Sequence, residues 1–272
     1  MSRLPDELLD ACRCDPAAPF AQDPARDFGL DKQQAHHALQ ALRPWLNKQQ
    51  RMLWANRRNA LLLLLQGTDC SGKDGVIRRV INSFDPQGVR INGFQKPDAC
   101  ELRHDFLWRY QQRLPEPGRL AVFNRSYYEG LISDPLDGLC SASEVPARRQ
   151  SVAAFEVQLL TRQIIPLKCF LHLSKGEQKL RLQERLAQPH KRWKLHSSDL
   201  QSYREFDLRQ QRWAEQLSAS HSAAAPWYVI PADHRWLRDW LVASLLAREL
   251  ERLQLDWPDA PAPFSLSDLQ AL

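Results

Sequence analysis

Residues 61–73 read LLLLLQGTDCSGK, an apolar run that leads directly into a Gly-x-x-x-x-Gly-Lys loop. The leucines predict a buried strand, and the residues after Lys73 predict a helix. Gly67 and Gly72 lack Cβ atoms where the backbone must curl, which lets successive N–H groups surround an anion. Lys73 adds a positive charge, and the helix directs the positive end of its dipole to the same place. The stretch therefore predicts a phosphate-binding loop; the alternative is a tight turn without a ligand.

Position 74 departs from the usual form of such a loop, because Asp74 stands where Ser or Thr normally supplies a hydroxyl to Mg²⁺. Asp69, inside the loop, is therefore the candidate metal ligand, since Mg²⁺ prefers oxygen ligands and retains several waters. The alternative is that Asp69 caps the helix or braces the loop by accepting hydrogen bonds from backbone N–H groups. The loop residues predicted to bind phosphate or nucleotide are Gly67, Thr68, Ser71, Gly72, Asp74 and Gly75.

Predicted strands and helices alternate along the chain, which favours a parallel sheet with helices on both faces. Strands are predicted at 60–66, 89–94, 119–124, 166–173 and 227–231. Helices are predicted at 45–57, where Pro44 takes the first helical position, from the loop through about 84, and at 101–114, 145–165, 176–187 and 234–255. In such an α/β fold, ligands bind beyond the carboxyl ends of the strands.

A second motif, FNRSYYEG at 123–130, follows the third predicted strand and therefore faces the same edge of the sheet. The strand ends in Asn124, where phosphate-transferring enzymes would place a metal-holding Asp. Arg125 has a guanidinium group suited to two-point contact with phosphoryl oxygens; the alternative is a buried ion pair that ties the sheet to a helix. Asn124 and Glu129 are predicted to contact phosphate or nucleotide. The neighbouring aromatic residues are predicted to be packing or hydrogen-bonding supports: Tyr127 and Tyr128.

The composition is that of one globular α/β domain with appendages, with 272 residues of which 43% are hydrophobic. Residues 1–28 and 256–272 are predicted to form an N-terminal arm and a C-terminal tail around a domain at 29–255. The apolar run at 61–65 is too short to span a bilayer, and we expect a cytoplasmic protein. The six cysteines lack metal-ligand or disulfide-framework spacing and are predicted to be free thiols.

Positive charge is concentrated in one segment of the chain. The whole sequence has 37 basic and 32 acidic residues, a net charge of +5, and residues 175–212 alone contain ten basic and five acidic residues. The bases are bunched in KRWKLHSSDL at 191–200 rather than interleaved with acids. This pattern favours a polyanionic partner, and the alternative is a solvated helical face.

The chain resembles the family-2 polyphosphate kinases, which share the P-loop kinase fold of thymidylate kinase-like enzymes. The resemblance covers residues 30–255 and is carried by GTDCSGKDG at 67–75, FNRSYYEG at 123–130 and KRWKLHSSDL at 191–200. HDFLWRY at 104–110 and APWYVIPADH at 225–234 also fit the pattern of that family.

The resemblance implies a fold and a set of site residues. The implied fold is a P-loop kinase-like three-layer αβα sandwich, with a five-stranded parallel sheet and a helical lid at about 188–205. The implied catalytic residues are Asp69, Lys73 and Arg125. The lid residues that would close over the polyanion are Lys191, Arg192 and Lys194.

The resemblance also implies an activity. The expected reaction is in-line transfer of a phosphoryl group between inorganic polyphosphate and AMP, ADP or ATP, without a covalent intermediate. Mg²⁺ is the expected cofactor and Mn²⁺ the alternative ion. The Asn-Arg-Ser form at 124–126 resembles the subgroup that accepts nucleoside mono- and diphosphates. We expect a homodimer or homotetramer, with no membrane or nucleic-acid partner.

Two other functions are compatible with these residues. An ATP-dependent nucleotide or nucleoside kinase would share the loop and the sheet but would not need a long positive track. A non-enzymatic nucleic-acid-binding module would use the segment at 175–212 to contact phosphate backbones.

Overall fold

The computed structural model describes residues 3–259 and 261–270, and a five-stranded sheet lies at its centre. The strands are β1 (Ala60–Gln66), β2 (Val89–Gly93), β3 (Leu120–Asn124), β4 (Ile164–His172) and β5 (Trp227–Pro231). Their order across the sheet is β2-β3-β1-β4-β5, and every neighbouring pair is parallel. The predicted α/β class and the five-stranded parallel sheet are confirmed.

The central position of β1 follows from its sequence, since all seven of its residues are buried. Leu65 pairs with Asn124 of β3 on one side and with Cys169 of β4 on the other. Successive side chains of a strand point to opposite faces, so β1 contributes to two apolar clusters. One cluster contains Leu61, Leu63 and Leu65, and the other contains Leu62 and Leu64.

Helices cover both faces of the sheet and complete the predicted three layers. One face packs against α2 (Lys32–Asn56), α3 (Lys73–Arg79) and α10 (Arg235–Arg252), and the other against α5 (Glu129–Leu136), α6 (Val145–Thr161) and α9 (Phe206–Ser220). Between β4 and α9 the chain forms α7 (Lys175–Ala187), a 3₁₀ segment (Pro189–Lys194) and α8 (Ser198–Arg204). The shorter helices are α1 (Asp6–Ala11), α4 (Trp108–Gln111) and α11 (Leu266–Gln270). Within the described ranges, no helix is both long and apolar enough to cross a membrane.

The N-terminal segment packs along the outer edge of β5. The Cys14 N–H donates to the Trp227 carbonyl at 2.9 Å, and the Val229 N–H donates to the Cys12 carbonyl at 2.7 Å. Both cysteines are buried free thiols, as predicted. The segment thereby pairs polar backbone groups that an edge strand would otherwise expose. The arm predicted at 1–28 and the tail predicted at 256–272 include positions that lie outside the described residues: 1, 2, 260, 271 and 272.

The first long helix begins before the position that the sequence indicated. α2 begins at Lys32, so Pro44 lies inside the helix and the prediction that it occupies the first helical position is wrong. The start is fixed by Asp31, whose carboxylate accepts from the N–H groups of Gln33 and Gln34 while the Gln34 side chain accepts from the Asp31 N–H. This reciprocal capping box satisfies backbone donors that a helix start otherwise leaves unpaired.

The helix predicted at 101–114 is also wrong. The segment contains a 3₁₀ turn at Glu101–Arg103 and the four-residue α4, separated by His104 in an extended conformation. The Asp105 carboxylate accepts from the Leu107 N–H at 2.9 Å, a local side-chain contact that competes with helical hydrogen bonding. Other boundaries differ by two to five residues, since α3 ends at Arg79, α6 at Thr161 and α10 at Arg252, and β4 begins at Ile164. Two helices that pack on the sheet, α5 and α9, were not predicted.

Candidate functional site

A cleft of about 980 Å³ lies beyond the carboxyl ends of the strands. Its walls come from the loop after β1, the turn after β3, and α7, α8 and the first turn of α10. The predicted site residues that line it are Gly67, Thr68, Asp69, Gly72, Lys73, Asp74, Gly75, Asn124, Arg125, Glu129, Lys191 and Lys194. Among the described residues, two predicted site residues do not line the cleft: Ser71 and Arg192.

The loop after β1 has a conformation that requires glycine at two positions. Gly67 has a φ of 140°, and a Cβ there would lie 2.6 Å from the Leu171 carbonyl oxygen. Gly72 has a φ of 102°, and a Cβ there would lie 1.9 Å from Nη1 of Arg238. Both positions combine a left-handed backbone with close contacts that a side chain would disturb. The interpretation of these glycines as sites of backbone curling is consistent with this geometry.

Two buried arginines hold the carbonyl groups of the loop. Arg181 of α7 donates from Nη1 to the carbonyls of Cys70 and Ser71 at 3.0 and 3.3 Å, and Nη1 of Arg238 donates to Ser71 at 3.1 Å. Arg181 also donates from Nη2 to the carbonyl of Ala232 at 2.7 Å. Because a peptide unit is planar and trans, holding the Ser71 carbonyl on this side turns the Gly72 N–H to the opposite side.

Lys73 lies at the base of the loop and is largely buried. Its ammonium group donates to the carbonyls of Gly67 and Thr68 at 2.7 and 3.2 Å. Burial and the nearby charge of Arg125 lower the pKa of Lys73, while Asp69 acts in the opposite direction. The two loop carbonyls therefore fix the position of the ammonium group on the lining of the cleft.

Asp69 and Arg125 form an ion pair across the mouth of the loop, with Oδ1 and Nη2 separated by 3.0 Å. Burial acts to raise the pKa of Asp69, but the charges of Lys73 and Arg125 lower it overall. The charge of Glu129 is the largest influence on Arg125 and raises its pKa. The Asp69 carboxylate accepts from Nη2 of Arg125, and both its metal role and the alternative of capping or bracing stay predictions. Arg125 thus makes its ion pair with the loop, and the charge of Glu129 at the start of α5 also acts on it.

Two further acidic groups are oriented by amide side chains. Nδ2 of Asn124, at the end of β3, donates to Oδ1 of Asp74 at 2.8 Å. Gln66, with its amide nitrogen toward Glu129, donates to Oε1 at 2.9 Å. Both carboxylates line the cleft, and both amides lie at the carboxyl ends of neighbouring strands. The ends of two neighbouring strands therefore position these carboxylate groups.

The three predicted lid cations have different surroundings. Lys191 donates to Oε1 of Glu184 at 2.7 Å, whereas Nε of Arg192 donates to the Leu186 carbonyl at 2.9 Å. Burial and the charge of Arg78 lower the pKa of Lys194. Two of the three cations thus face the cleft, and the lid roles of all three stay predictions.

The cleft contains many residues that the sequence analysis missed. The missed basic residues on its walls are Arg78, Arg79, Lys96, Arg109, Arg181, Arg185, Arg209, Arg235 and Arg238. Arg181 and Arg185 are spaced by four residues, and Arg235 and Arg238 by three, so each pair lies on one side of its helix. That spacing could have indicated that the two arginines of each pair share one helix surface. Which part of the protein this surface faces is decided by helix packing, which the sequence does not show.

A buried polar cluster supports the turn that carries Arg125. The hydroxyls of Tyr127 and Tyr128 donate to Oε1 of Glu156 at 2.8 and 2.7 Å, and Lys168 donates to Oε2 at 2.9 Å. Lys168 is completely buried and also donates to the Ser220 carbonyl at 2.9 Å. Burial lowers the pKa of Lys168, although the charge of Glu156 opposes this. The two tyrosines are hydrogen-bonding supports, as predicted.

We expect Lys168→Met to lower the free energy of unfolding by about 3–5 kcal/mol, because it leaves the Glu156 carboxylate buried without its counter-charge. Chemical denaturation measures this change. The matched control is Lys179→Met on the exposed surface of α7, which should change stability by less than about 0.5 kcal/mol. Adding Glu156→Gln to Lys168→Met should recover part of the loss. Wild-type stability in the single variant would contradict the role of this ion pair.

We expect Gly72→Ala to lower the free energy of unfolding by about 1–3 kcal/mol and to weaken binding of tripolyphosphate, because the methyl group strains the backbone and displaces Arg238 from the Ser71 carbonyl. Thermal unfolding and titration calorimetry measure the two effects. Gly176→Ala is the control, since a Cβ there meets no atom within 4 Å. Unchanged binding by the Gly72 variant would show that the loop does not need this conformation.

Comparison with known proteins agrees with the geometry of the cleft. The family model for Polyphosphate kinase 2 (PPK2) matches residues 29–256. The chain is 39% identical over 254 residues to the AMP/ADP-polyphosphate phosphotransferase of Meiothermus ruber, and the match covers 93% of each. It is 36% identical over 244 residues to the ADP-polyphosphate phosphotransferase of Rhodopseudomonas palustris, covering 85% of this chain and 84% of that protein.

Solved structures give the same result. The crystal structure of Polyphosphate Kinase 2 from Arthrobacter aurescens TC1 matches with a TM-score of 0.91 and 33% sequence identity, covering 99% of this chain and 96% of that chain. A structure described as a polyphosphate kinase 2 from Pseudomonas aeruginosa matches with a TM-score of 0.79 and 26% identity, covering 88% of this chain and 52% of that chain. The resemblance inferred from the sequence motifs is confirmed: the chain belongs to the polyphosphate kinase 2 family.

Proposed function

We propose that this protein transfers a phosphoryl group between inorganic polyphosphate and nucleotides, converting AMP to ADP and ADP to ATP. The observation that carries the proposal is the meeting of the loop, Asp69, Lys73 and Arg125 in one cleft whose other walls are rich in Arg and Lys. The names of the relatives in Meiothermus ruber and Rhodopseudomonas palustris support the same reaction.

The charge of the cleft favours a substrate longer than a nucleotide. Basic side chains continue from the loop along α7 and the 3₁₀ segment to α10, and include Arg185, Lys191, Lys194 and Arg235. Each phosphate of a long chain carries negative charge and can face a basic side chain of this track. The positive field of the track therefore raises the local concentration of the phosphate chain.

The proposed chemistry requires positioning and charge neutralisation rather than a covalent intermediate. Lys73 and Arg125 would stabilise negative charge on the transferred group, and Asp69 would hold Arg125 in place until the substrate binds. Burial raises the pKa of the Cys70 thiol to about 11, so the loop cysteine remains protonated and is a poor nucleophile. The lid segment would exclude water that could hydrolyse the donor.

The acidic residues of the cleft fit Mg²⁺, with Mn²⁺ as the second ion. Mg²⁺ is usually held by one or two carboxylates, substrate phosphates and several waters. The side chain of Asp69 is 25% exposed, and Asp74 and Asn124 add further oxygen atoms to the lining of the same cleft. Among the residues described, no group of three or more His, Cys, Asp or Glu is arranged as a metal site of its own. When bound, the ion would neutralise charge on the phosphates.

We further propose a cytoplasmic homodimer or homotetramer without a membrane or nucleic-acid partner. Several large apolar side chains are exposed on the helices, which supports contact with a second copy of the chain. The exposed residues are Val157, Leu180, Leu186 and Leu200. Analytical ultracentrifugation would give the number of subunits.

We expect Lys73→Ala to reduce phosphoryl transfer by about 10³-fold or more with the fold retained, because the ammonium group neutralises charge that develops on the transferred group. The assay combines polyphosphate, Mg²⁺ and either AMP or ADP, with no ATP added, and measures the nucleotides by chromatography. Lys48→Ala, on the exposed surface of α2 and outside the cleft, is the control and should retain wild-type turnover.

Three outcomes would contradict the proposal. Near-wild-type turnover by Lys73→Ala would remove the loop from the mechanism. Transfer that requires ATP and does not use polyphosphate would indicate an ATP-dependent nucleotide kinase. Salt-sensitive binding of RNA or DNA without any transfer would indicate a nucleic-acid-binding module.

A further inference from the structure

Glu184 is an acidic residue in the most basic part of the cleft. Its Oε1 accepts from Nζ of Lys191 at 2.7 Å, and its Oε2 accepts from Nη2 of Arg235 at 2.5 Å. The three residues come from three separate elements: α7, the 3₁₀ segment and the first residue of α10. All three line the cleft. One carboxylate thus holds two cations that would otherwise face a polyanion.

Other acidic residues in or behind the cleft make ion pairs of a different kind. Asp69 pairs with one arginine, and Asp137 lies 3.8 Å from one lysine. Asp239 also contacts two arginines, but it is buried behind the loop. Among the residues that the structure describes, Glu184 is the carboxylate on the cleft wall that makes ion pairs to two cleft cations.

The carboxylate of Glu184 is ionised at neutral pH. Hydrogen bonds from Arg235 and Lys191 lower its pKa to about 2. Its side chain is 32% exposed, so the pair of contacts can exchange with a ligand without unfolding the surrounding helix. The carboxylate oxygens therefore make the contacts that phosphoryl oxygens of a bound chain would make.

We propose that Glu184 is a specificity-determining residue that competes with polyphosphate for Lys191 and Arg235 and thereby sets how tightly the cleft holds the chain. The inference rests on the proposed function, since it takes polyphosphate as the ligand of this cleft. While Glu184 is ionised, the three side chains present a net charge of +1 to the substrate instead of +2. The carboxylate also gives both cations a partner when a phosphate chain leaves, which favours release over trapping.

A purely structural role for Glu184 predicts the opposite effect on affinity. If the carboxylate served only to join the lid segment to α10, its loss would loosen the lid and raise the KM for polyphosphate. If it competes with the substrate, its loss frees two cations and lowers the KM. The direction of the change therefore separates the two roles.

The test is Glu184→Gln, which keeps the size of the side chain and removes its charge. We expect the KM for polyphosphate to fall by roughly threefold or more, without a rise in kcat, because a competing charge is lost from the cleft. The slope of log KM against log salt should steepen by about one, since one additional positive charge faces the polyanion. Glu184→Ala is a second charge-removing variant, and circular dichroism checks that both variants are folded.

Two control variants isolate the competition. Glu215→Gln removes the same charge from an exposed pair with Arg212 outside the cleft and should leave the KM unchanged. Glu184→Asp keeps the negative charge in the cleft and should retain a KM close to that of the wild type. A KM for polyphosphate that is unchanged or raised in both Glu184→Gln and Glu184→Ala overturns the inference. Absence of polyphosphate turnover by the wild-type protein would instead overturn the proposed function.

Discussion

The site depends on the outward orientation of the loop carbonyls at Cys70 and Ser71. A loop that binds an anion through N–H groups must direct its carbonyl oxygens elsewhere, and buried carbonyls require donors. Arg181 and Arg238 supply those donors, from α7 and α10 respectively. Glycine at 72 is part of the same arrangement, because the Arg238 guanidinium fills the space that a side chain would need. The conformation of the loop is thus held by residues far from it in the chain.

α7 connects this loop to the basic part of the cleft wall that contains Arg185, Lys191 and Lys194. One helix carries Arg181, which holds the loop, and Glu184 and Arg185, which line the cleft. The chain then continues directly into the 3₁₀ segment with Lys191 and Lys194. α7 therefore joins the glycine-rich loop and the 3₁₀ segment through one continuous helix.

The opposite face of the sheet provides a different kind of support. There, the turn after β3 is fixed by a buried ion pair and two tyrosine hydroxyls rather than by apolar packing alone. Every donor and acceptor in this cluster is costly to bury without its partner, so the cluster restricts the turn to one arrangement. Arg125, with a left-handed φ of 66°, lies in the same turn, two residues before Tyr127.

The sequence alone determined the five strands and their order along the chain, the glycine-rich loop after β1 and the two motifs that meet at the sheet edge, because apolar periodicity and glycine placement are local properties of the chain. It misplaced the start of α2 and the segment at 101–114, where side-chain caps override periodicity. The tertiary structure alone decided which cations meet in the cleft, that Arg192 lies outside its lining, and that Glu184 stands between Lys191 and Arg235. Those contacts join elements that are distant in the chain. The pattern of charges along a sequence does not show which helix surfaces will meet in the folded protein.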